Sequence, residues 1–299
     1  MTITTAKINP IQSAITDEIF YALGLKRRGL MRRVMGWWFS RPANRFSQYF
    51  AEADAQVPGG GLPAACQTLI DKFEINLQSR GVEHIPVTGP AVLLANHPGA
   101  YDSILIGSQV PRKDMQIIVG KTRFYQKLPH IYPNLIIASA EKYQNMFALR
   151  HIITHLQAGG ILLLFGAGSI EPDPAIRPVG ADVFARWKRS SELLLRKVPE
   201  LVIVPTIASG VLLEDFASHW VTRLRRRGID KRRLAEFIQV IRHILKPGSV
   251  EVHPSVSFGE PFSARDLEGD AAERFLMPAI LDRVRHQLED HLDWIKAGS

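Results

Sequence analysis

Cysteine is almost absent from this sequence of 299 residues, which contains only Cys66. A single cysteine cannot form a disulfide within the chain, so a disulfide-stapled secreted scaffold is excluded. We therefore expect a reducing, cytoplasmic setting. No motif surrounds Cys66, and we interpret its side chain as a small buried hydrophobic group.

Two further absences concern membranes. No stretch reaches the roughly 18 consecutive apolar residues that a membrane-spanning helix needs. Residues 1–20 also lack the basic segment and apolar run of a secretory signal. We therefore expect no transmembrane helix, and any membrane contact should be peripheral, on the inner face.

Acidic residues are fewer than basic ones: 29 Asp and Glu stand against 37 Lys and Arg, a net charge of +8. Such an excess favours an anionic partner, which could be nucleic acid, anionic lipid or a phosphate-bearing substrate. The sequence has no zinc-finger, RRM or KH signature, so we expect no nucleic-acid partner.

The basic charge is concentrated in two segments. Residues 26–45 hold seven Lys and Arg and no acid, and Trp37, Trp38 and Phe39 lie among them. This composition suits the interface of an anionic bilayer, although a surface helix with its tryptophans packed on the core fits it as well. A second basic run, residues 223–233, could extend the same surface or bind phosphates.

Helical patterns and short apolar runs divide the chain in two. Helical spacing of apolar residues predicts an N-terminal helical region over 1–84, with a loop or hinge at 57–63. From 85 to 299, apolar runs alternate with helical patterns, and an amphipathic helix over 271–296 ends the chain. This alternation predicts an α/β fold with a mostly parallel central sheet flanked by helices. The expected strands are 91–96, 115–120, 134–140, 160–166, 201–210 and 250–258, and helices are expected at 143–157 and 181–197.

The first candidate site directly follows the first of these apolar runs. Asn96, His97, Pro98 and Gly99 form a turn there, and Asp102 follows close to the start of a predicted helix. In open α/β sheets, ligands bind beyond the carboxyl ends of the strands. A carboxylate on one imidazole nitrogen fixes the tautomer and leaves the other nitrogen as a base. The spacing alone is a weak signal, because Asp102 could simply cap the helix.

A cluster of cations follows the second apolar run. Lys121, Arg123 and Lys127 lie there within seven residues of one another. They could hold a phosphate by charge and by bidentate hydrogen bonds. The alternative is a solvated surface.

Two later runs also end in residues suited to a site. The apolar run 160–166 leads into a tight turn that contains Gly166, Gly168 and Ser169. Such a loop can present backbone N–H groups to a phosphate or an oxyanion, or it can be a plain turn. Pro205 lies in the run 201–210, which we interpret as a core strand that could shape a pocket.

These segments, in this order, resemble the glycerolipid acyltransferase family, whose prototype is the 1-acylglycerol-3-phosphate acyltransferase. The family pattern is an Asn-His-x4-Asp block, a block with Lys or Arg, a Phe-Pro-Glu-Gly-Thr-Arg block and a Val-Pro block. Residues 96–102 match the first block, 120–129 resemble the second and 203–210 match the fourth. The strand ending at 258–261 is similar to the family's closing strand. The resemblance covers about residues 85–262, and the ordered combination is more specific than any one block.

The third block departs from the family pattern. In the family it is associated with binding the glycerol-phosphate of the acceptor, so the departure leaves the acceptor open. Glu171 and Arg177 lie close by and could compensate. The block keeps Phe165 and Gly168, has Ser169 in place of Thr, and has Ala167 and Ile170 in place of Glu and Arg.

The resemblance implies an O-acyltransferase that moves a fatty acyl group from acyl-CoA or acyl carrier protein to the hydroxyl of a lysophospholipid-like acceptor. His97 would be the general base, Asp102 would orient it, and backbone N–H groups would stabilise the oxyanion. Neither a metal nor a bound cofactor is implied. The substrate-binding residues expected on this basis are Asn96, Lys121, Arg123, Phe165, Gly166, Gly168, Ser169, Glu171, Arg177 and Pro205.

Two alternatives stay open from the sequence. A serine-type lipid hydrolase would use Ser169 or Ser209 with His97, although neither serine lies in a G-x-S-x-G elbow. A non-catalytic lipid-binding protein of the same fold would fit the altered third block, whereas the intact His97 and Asp102 favour catalysis.

Overall fold

The computed structural model of the chain describes residues 11–15, 30–99, 101–139, 142–176, 183–218, 228–246, 249–267 and 276–298. Of residues 30–39, 142, 217, 228–230 and 233 it describes the backbone alone. The expected membrane contact through Trp37, Trp38 and Phe39 therefore concerns side chains outside the described part. The same holds for residues 223–227 of the second basic run.

An eight-stranded sheet forms the centre of the described chain, in the order β1-β7-β6-β2-β5-β3-β4, with β8 paired to β6. The five strands from β6 to β4 are parallel to their neighbours. Strands β7 and β8 run antiparallel to β6, and β1 runs parallel to β7. The strands are β1 Gln78–Arg80, β2 Ala91–Ala95, β3 Met115–Gly120, β4 Leu135–Ala138, β5 Ile161–Phe165, β6 Val202–Ser209, β7 Ser255–Phe258 and β8 Phe262–Ser263.

Helices cover both faces of this sheet. The predicted α/β fold with a mostly parallel, helix-flanked sheet is thereby confirmed. Among the described residues, every helix is too short or too polar to span a bilayer. The helices are α1 Leu30–Asp54, α2 Val57–Lys72, α3 Asp102–Ser108, α4 Lys142–Gln157, α5 Ser190–Lys197, α6 Glu214–Ala217, α7 Gly228–Leu245 and α8 Met277–Ala297.

The central strands are buried on both faces because their sequences are continuous apolar runs. β2 and β5 are buried at every position, as expected for parallel strands covered by helices. Successive side chains of a strand point to opposite faces. Leu93 of β2 accordingly belongs to the core beneath α1, α2, α3 and α7, and Leu94 belongs to the core beneath α4, α5 and α8.

The described part of region 1–84 packs on the first of these cores. Phe50, Leu62 and Leu69 share that core with β2. The region also contains β1, where the sequence predicts only helix. β1 reads Gln-Ser-Arg and is exposed at all three positions, so it has no apolar pattern that could mark it as a strand. Its backbone pairing with β7 defines it instead.

Residues 57–63, predicted as a loop or hinge, form the first turns of α2. Pro58 lies at the start of the helix, where the missing N–H has no intrahelical partner to lose. The expected break is present as a kink at Gly61, which has φ 70° and ψ −170°. A Cβ at Gly61 would lie 2.6 Å from the carbonyl oxygen of Lys113. Glycine therefore permits both the kink and the close approach to the chain before β3.

The parallel strands β6, β2, β5, β3 and β4 all end at one edge of the sheet, which we call the carboxyl edge. The loops that follow them contain the candidate residues after β2, β3 and β5. The opposite edge contains the segments that enter these strands and the ends of β1 and β7. The carboxyl edge is where ligands of open α/β sheets bind.

Candidate active site

His97 and Asp102 meet just beyond the carboxyl end of β2. The strand ends at Ala95, and Asp102 is the first residue of α3. His97 Nδ1 lies 2.6 Å from Asp102 Oδ2. The side chain of Asp102 is 1% exposed, whereas that of His97 is 27% exposed. The carboxylate thus faces the protein, and Nε2 is the ring nitrogen that a substrate can approach.

Backbone groups hold the Asp102 carboxylate in place. The N–H of Gly99 donates to Oδ2 at 3.2 Å, and the N–H of Ser103 donates to Oδ1 at 2.6 Å. The second bond comes from the first turn of α3, where a carboxylate also interacts favourably with the helix dipole. Both oxygens are therefore oriented by local structure before any substrate binds.

The charges around His97 make it a stronger base than histidine in water. Burial of the ring works against protonation and lowers the pKa. The charge and hydrogen bond of Asp102, with the charges of Glu236 and Glu171, outweigh this effect and raise the pKa above its ordinary value of 6.5. The ring is neutral, and so able to accept a proton, only above that raised pKa.

Helix α7 brings charged residues to this site that the sequence did not identify. A Cβ on Gly99 would lie 3.7 Å from the carboxyl carbon of Glu236, which is buried. Arg232 Nη2 donates to the carbonyl oxygen of Ile170 at 3.4 Å. No motif marks these residues, because only the tertiary packing of α7 places them beside the loops after β2 and β5.

The loop after β5 leaves the sheet directly beside His97. The rings of Phe165 and His97 stack with centroids 4.4 Å apart and an interplanar angle of 21°. A Cβ on Gly166 would lie 2.1 Å from the indole of Trp187, so no larger residue fits there. Gly168 has φ 63°, a left-handed conformation that favours glycine. The shape of this loop thus depends on the residues that the sequence singled out.

Glu171 clamps the backbone of His97. Its N–H donates to the His97 carbonyl oxygen at 2.7 Å, and the His97 N–H donates to Glu171 Oε2 at 3.1 Å. Trp187 Nε1 donates to the other carboxylate oxygen at 2.9 Å. Burial raises the pKa of Glu171 to about 7, although the hydrogen bonds from Trp187 and His97 oppose the shift. These contacts place Glu171 behind the histidine and give it a positioning role.

We expect the substitution Glu171→Gln to lower the maximal rate of any His97-dependent reaction while leaving the KM of the acceptor unchanged. An amide keeps only one acceptor oxygen, so the N–H of His97 or of Trp187 loses its partner, at about 1–3 kcal/mol of stability. The lost charge also lowers the pKa of His97, because Glu171 raises it. Steady-state rates measured against pH and acceptor concentration check both effects.

The exposed carboxylate Glu214 offers a control in the variant Glu214→Gln, which should leave the pH profile unchanged. A large rise in acceptor KM for Glu171→Gln, with an unmoved pH profile, would instead assign Glu171 to acceptor binding.

Asn96 lies next to the candidate site, whereas Pro205 lies away from it. Asn96 is buried and pairs with the backbone of Ala208 through two hydrogen bonds of 2.9 and 2.8 Å, which tie the His97 loop to the end of β6. Pro205 lies in the middle of β6, where the strand changes its partner from β8 to β7. It lines a groove of about 530 Å³ that opens at the opposite edge, together with Arg80, His84, Glu260 and Arg283.

Asp173 organises the loop after β6, a role that sequence reasoning missed. It is buried and accepts hydrogen bonds from the N–H groups of Gly210, Val211 and Leu212 at 3.0, 2.8 and 3.3 Å. Gln239 of α7 holds the same turn through the carbonyl oxygen of Val211 at 2.8 Å. An acidic residue in a loop gives no sequence signal for such long-range contacts.

The predicted phosphate-binding cations occupy the same edge at different positions. Lys121 and Arg123 are exposed in the loop after β3, which is separated from β2 by β5. Arg177 lies outside the described residues. Ser169 is half-buried in the loop after β5.

Lys188 is a further cation at this edge that the sequence did not mark. Its N–H donates to the carbonyl oxygen of Gly166 at 2.9 Å. Its Nζ lies 2.9 Å from the position that a Cβ on Gly168 would occupy. Lys188 therefore brings positive charge to the loop that contains Gly166 and Gly168.

Ser209 lies against a different histidine. Its Oγ is 2.8 Å from Nε2 of His291, and Oγ of Ser257 is 2.8 Å from Nδ1 of the same ring. His291 and Ser209 are 0% and 1% exposed, so no substrate reaches this pair. The arrangement removes Ser209 from the serine-hydrolase alternative. Among the described residues, no group of three or more His, Cys, Asp or Glu is placed to hold a metal ion.

Solved structures similar to this chain include that of an acyltransferase. No protein-family model matches the sequence, and no curated protein is similar to it at a significant level. The crystal structure of the 1-acyl-sn-glycerophosphate (LPA) acyltransferase PlsC from Thermotoga maritima is 16% identical, with a TM-score of 0.48. The similarity covers 95% of this chain and 96% of that chain.

Proposed function

We propose that this protein is an O-acyltransferase that moves a fatty acyl group from acyl-CoA or acyl carrier protein to the hydroxyl of a lysophospholipid-like acceptor. The observation that carries the proposal is the 2.6 Å contact between His97 Nδ1 and a buried Asp102, in a histidine whose side chain is 27% exposed. A histidine held in this way can take a proton from an alcohol. The order of the sequence blocks at residues 96–102, 120–129 and 203–210 supports the same activity.

In the proposed reaction, His97 Nε2 takes the hydroxyl proton while the acceptor oxygen attacks the thioester carbonyl carbon. The tetrahedral adduct then collapses, the carbon–sulfur bond breaks, and the imidazolium returns the proton to the leaving thiolate. Asp102 keeps the productive tautomer and stabilises the imidazolium between the two proton transfers. The thioester itself supplies the activated acyl group, so neither a cofactor nor a metal enters the scheme.

The loops of the carboxyl edge supply the proposed substrate contacts. The loop of Gly166, Gly168 and Ser169 lies beside His97 and is the proposed position of the acceptor head group. Lys121 and Arg123 are the proposed contacts for phosphates of donor or acceptor. Because the acceptor is a bilayer lipid and the net charge is +8, we propose a peripheral position on an anionic membrane surface, on the cytoplasmic side.

Product identification tests the proposal. The full-length protein is incubated with palmitoyl-CoA or palmitoyl-acyl carrier protein and a panel of lysophospholipids in anionic vesicles, and the lipids are analysed by mass spectrometry. We expect one acceptor class to gain a palmitoyl group, and the His97→Ala variant to form none. If no acceptor is acylated with either donor, the proposal is wrong and a non-catalytic lipid-binding role takes its place.

Lys188 provides a prediction about the acceptor. We expect Lys188→Met to raise the KM of phosphate-bearing acceptors by about tenfold to a hundredfold, since a charge-assisted hydrogen bond to phosphate contributes about 1.5–3 kcal/mol. The KM of an uncharged acceptor such as a monoacylglycerol should stay the same. The matched control is Arg186→Met, which removes an exposed cation two residues away. Equal effects on charged and uncharged acceptors would contradict a phosphate contact at Lys188.

A further inference from the structure

An exposed apolar patch lies on the first two turns of α4. Tyr143, Met146 and Phe147 are 70%, 47% and 55% exposed. The rings of Tyr143 and Phe147 contact each other edge to face, with centroids 5.0 Å apart. Arg150 is exposed one turn later, and spacings of three, four and seven residues put all four side chains on one helix face. We call these four residues the α4 patch.

Packing of α4 on the sheet does not use this face. Ile152 and Leu156 are buried in the core, and Leu149 and Ile153 pack against it. These residues form a stripe on the other side of the helix, so the fold is secured without the patch. Single exposed apolar residues are ordinary, whereas contiguous aromatic and apolar side chains mark a surface that meets another molecule or a membrane.

The patch lies at the same edge of the sheet as His97. β4 ends at that edge with Ala138, and α4 begins shortly afterwards and packs back along the sheet. The order β2-β5-β3-β4 places β4 three strands from β2. With strands about 4.8 Å apart, the two chain segments leave the sheet roughly 14 Å from each other. A membrane that meets the patch therefore also lies next to the candidate active site.

The chain segment that contains the patch is rich in basic residues, which suits an anionic surface. Between Asp114 and Glu171 the sequence contains a single acidic residue, Glu141. The basic residues in the same interval are Lys121, Arg123, Lys127, Lys142 and Arg150. Two contributions bind peripheral proteins to anionic bilayers: aromatic and Met side chains insert among the head groups, and cations contact the lipid phosphates.

The small size of the patch favours a bilayer over a protein partner. A specific protein interface buries about 800 Å² on each side, through 20–30 residues. Three apolar side chains and one cation on two helical turns are far fewer. A few aromatic side chains suffice at a membrane interface, where binding grows with each inserted group.

We infer that the α4 patch docks this protein on an anionic lipid bilayer, with Tyr143, Met146 and Phe147 at the level of the head groups and Arg150 on lipid phosphates. The inference rests on the proposed function, because it brings the bilayer that holds the acceptor to the His97 edge. The residues of the α4 patch lie outside the basic segment at 26–45.

Vesicle flotation of the full-length protein tests this docking. The vesicles are phosphatidylcholine with or without phosphatidylglycerol. We expect the double variant Tyr143→Ser, Phe147→Ser to bind anionic vesicles about tenfold more weakly than wild type. Arg150→Glu should lose about tenfold on anionic vesicles and nothing on neutral ones. All variants change exposed side chains, and unchanged melting temperatures verify that they fold.

Matched controls come from the opposite edge of the sheet. Val87 is 71% exposed in the segment before β2, and Lys197 is exposed before β6. Val87→Ser and Lys197→Glu should bind vesicles as wild type does. If they lose as much binding as the patch variants, membrane contact is not specific to α4 and the inference is overturned.

A second assay separates docking from catalysis. With a short-chain acyl-CoA and a monomeric short-chain acceptor, the patch variants should react at the wild-type rate, and His97→Ala should still bind vesicles.

Patch variants that bind vesicles normally overturn docking but leave the proposed function intact. If the wild type shows no transferase activity but the patch variants still lose vesicle binding, the proposed function is wrong and the docking inference stands. Unchanged vesicle binding with lost affinity for acyl carrier protein, or loss of a dimer in sedimentation, assigns the patch to that partner instead.

Discussion

The substitution Asp102→Asn is expected to lower the rate of acyl transfer by on the order of 10²–10⁴, the contribution of a well-placed acid–base group. An amide cannot stabilise the imidazolium, and its NH₂ group against Nδ1 favours the wrong tautomer. The acidic limb of the pH–rate profile should also move to lower pH. Asp102 raises the pKa of His97 by its charge and hydrogen bond, so the wild-type limb lies above pH 6.5 and the variant loses that displacement.

Initial rates of wild type and Asp102→Asn, measured from acidic to alkaline pH, check both effects. The limb moves in this direction because only neutral His97 can act as the base. A higher pKa of His97 therefore shifts the rise in rate to higher pH. Asp71 is an exposed carboxylate on α2, and Asp71→Asn should leave rate and limb unchanged. A slower Asp102→Asn enzyme whose limb stays in place would mean that Asp102 only supports the loop at Gly99 and Ser103.

Acid is expected to destabilise the protein through His291, which does not belong to the His97–Asp102 pair. This buried ring joins Ser209 of β6 and Ser257 of β7 to helix α8. Burial, with a smaller effect of the Arg80 charge, lowers its pKa from 6.5 to about 4. Between these values the unfolded chain takes up a proton that the folded chain does not. The contribution of His291 to the free energy of unfolding should therefore fall by roughly 3 kcal/mol from above pH 6.5 to pH 4, and no further below it.

Chemical denaturation at a series of pH values measures this effect. His291→Gln should be less stable than wild type by about 2–4 kcal/mol at neutral pH, because buried hydroxyls lose partners. It should also lose less stability between neutral pH and pH 4. The control His286→Gln removes an exposed histidine of the same helix and should keep the wild-type slope. Equal slopes for wild type and His291→Gln would show that His291 is not the titrating group.

The fold could be predicted from the sequence where local pattern and tertiary environment agree. Buried parallel strands are continuous apolar runs, and β2 and β5 therefore stand out. The helix expected over 181–197 is shorter in the structure, where α5 begins at Ser190. The N–H of Lys188 bonds to Gly166 instead of a helical partner, and the Trp187 ring packs on the same glycine. Helical spacing alone cannot anticipate a segment that tertiary contacts hold in turns.

The candidate site could be predicted in part for the same reason. The turn after β2 contains His97 and Asp102 within six residues, so local sequence brings them together. Glu236 and Lys188 come from segments distant in sequence, and only the packing of α7 and of the chain before α5 places them at the loops. The sequence predicts Glu171 among the substrate-binding residues, whereas its side chain in the structure bonds to the backbone of His97 and the indole of Trp187.

Thiol release from palmitoyl-CoA or palmitoyl-acyl carrier protein, followed with and without lysophospholipid acceptors in anionic vesicles, is the most direct test of the proposed catalysis. His97→Ala is measured beside the wild type. We expect release that depends on the acceptor and is lost in the variant. Release that is independent of the acceptor, release that persists in His97→Ala, or no release with either donor would contradict acyl transfer with His97 as the base.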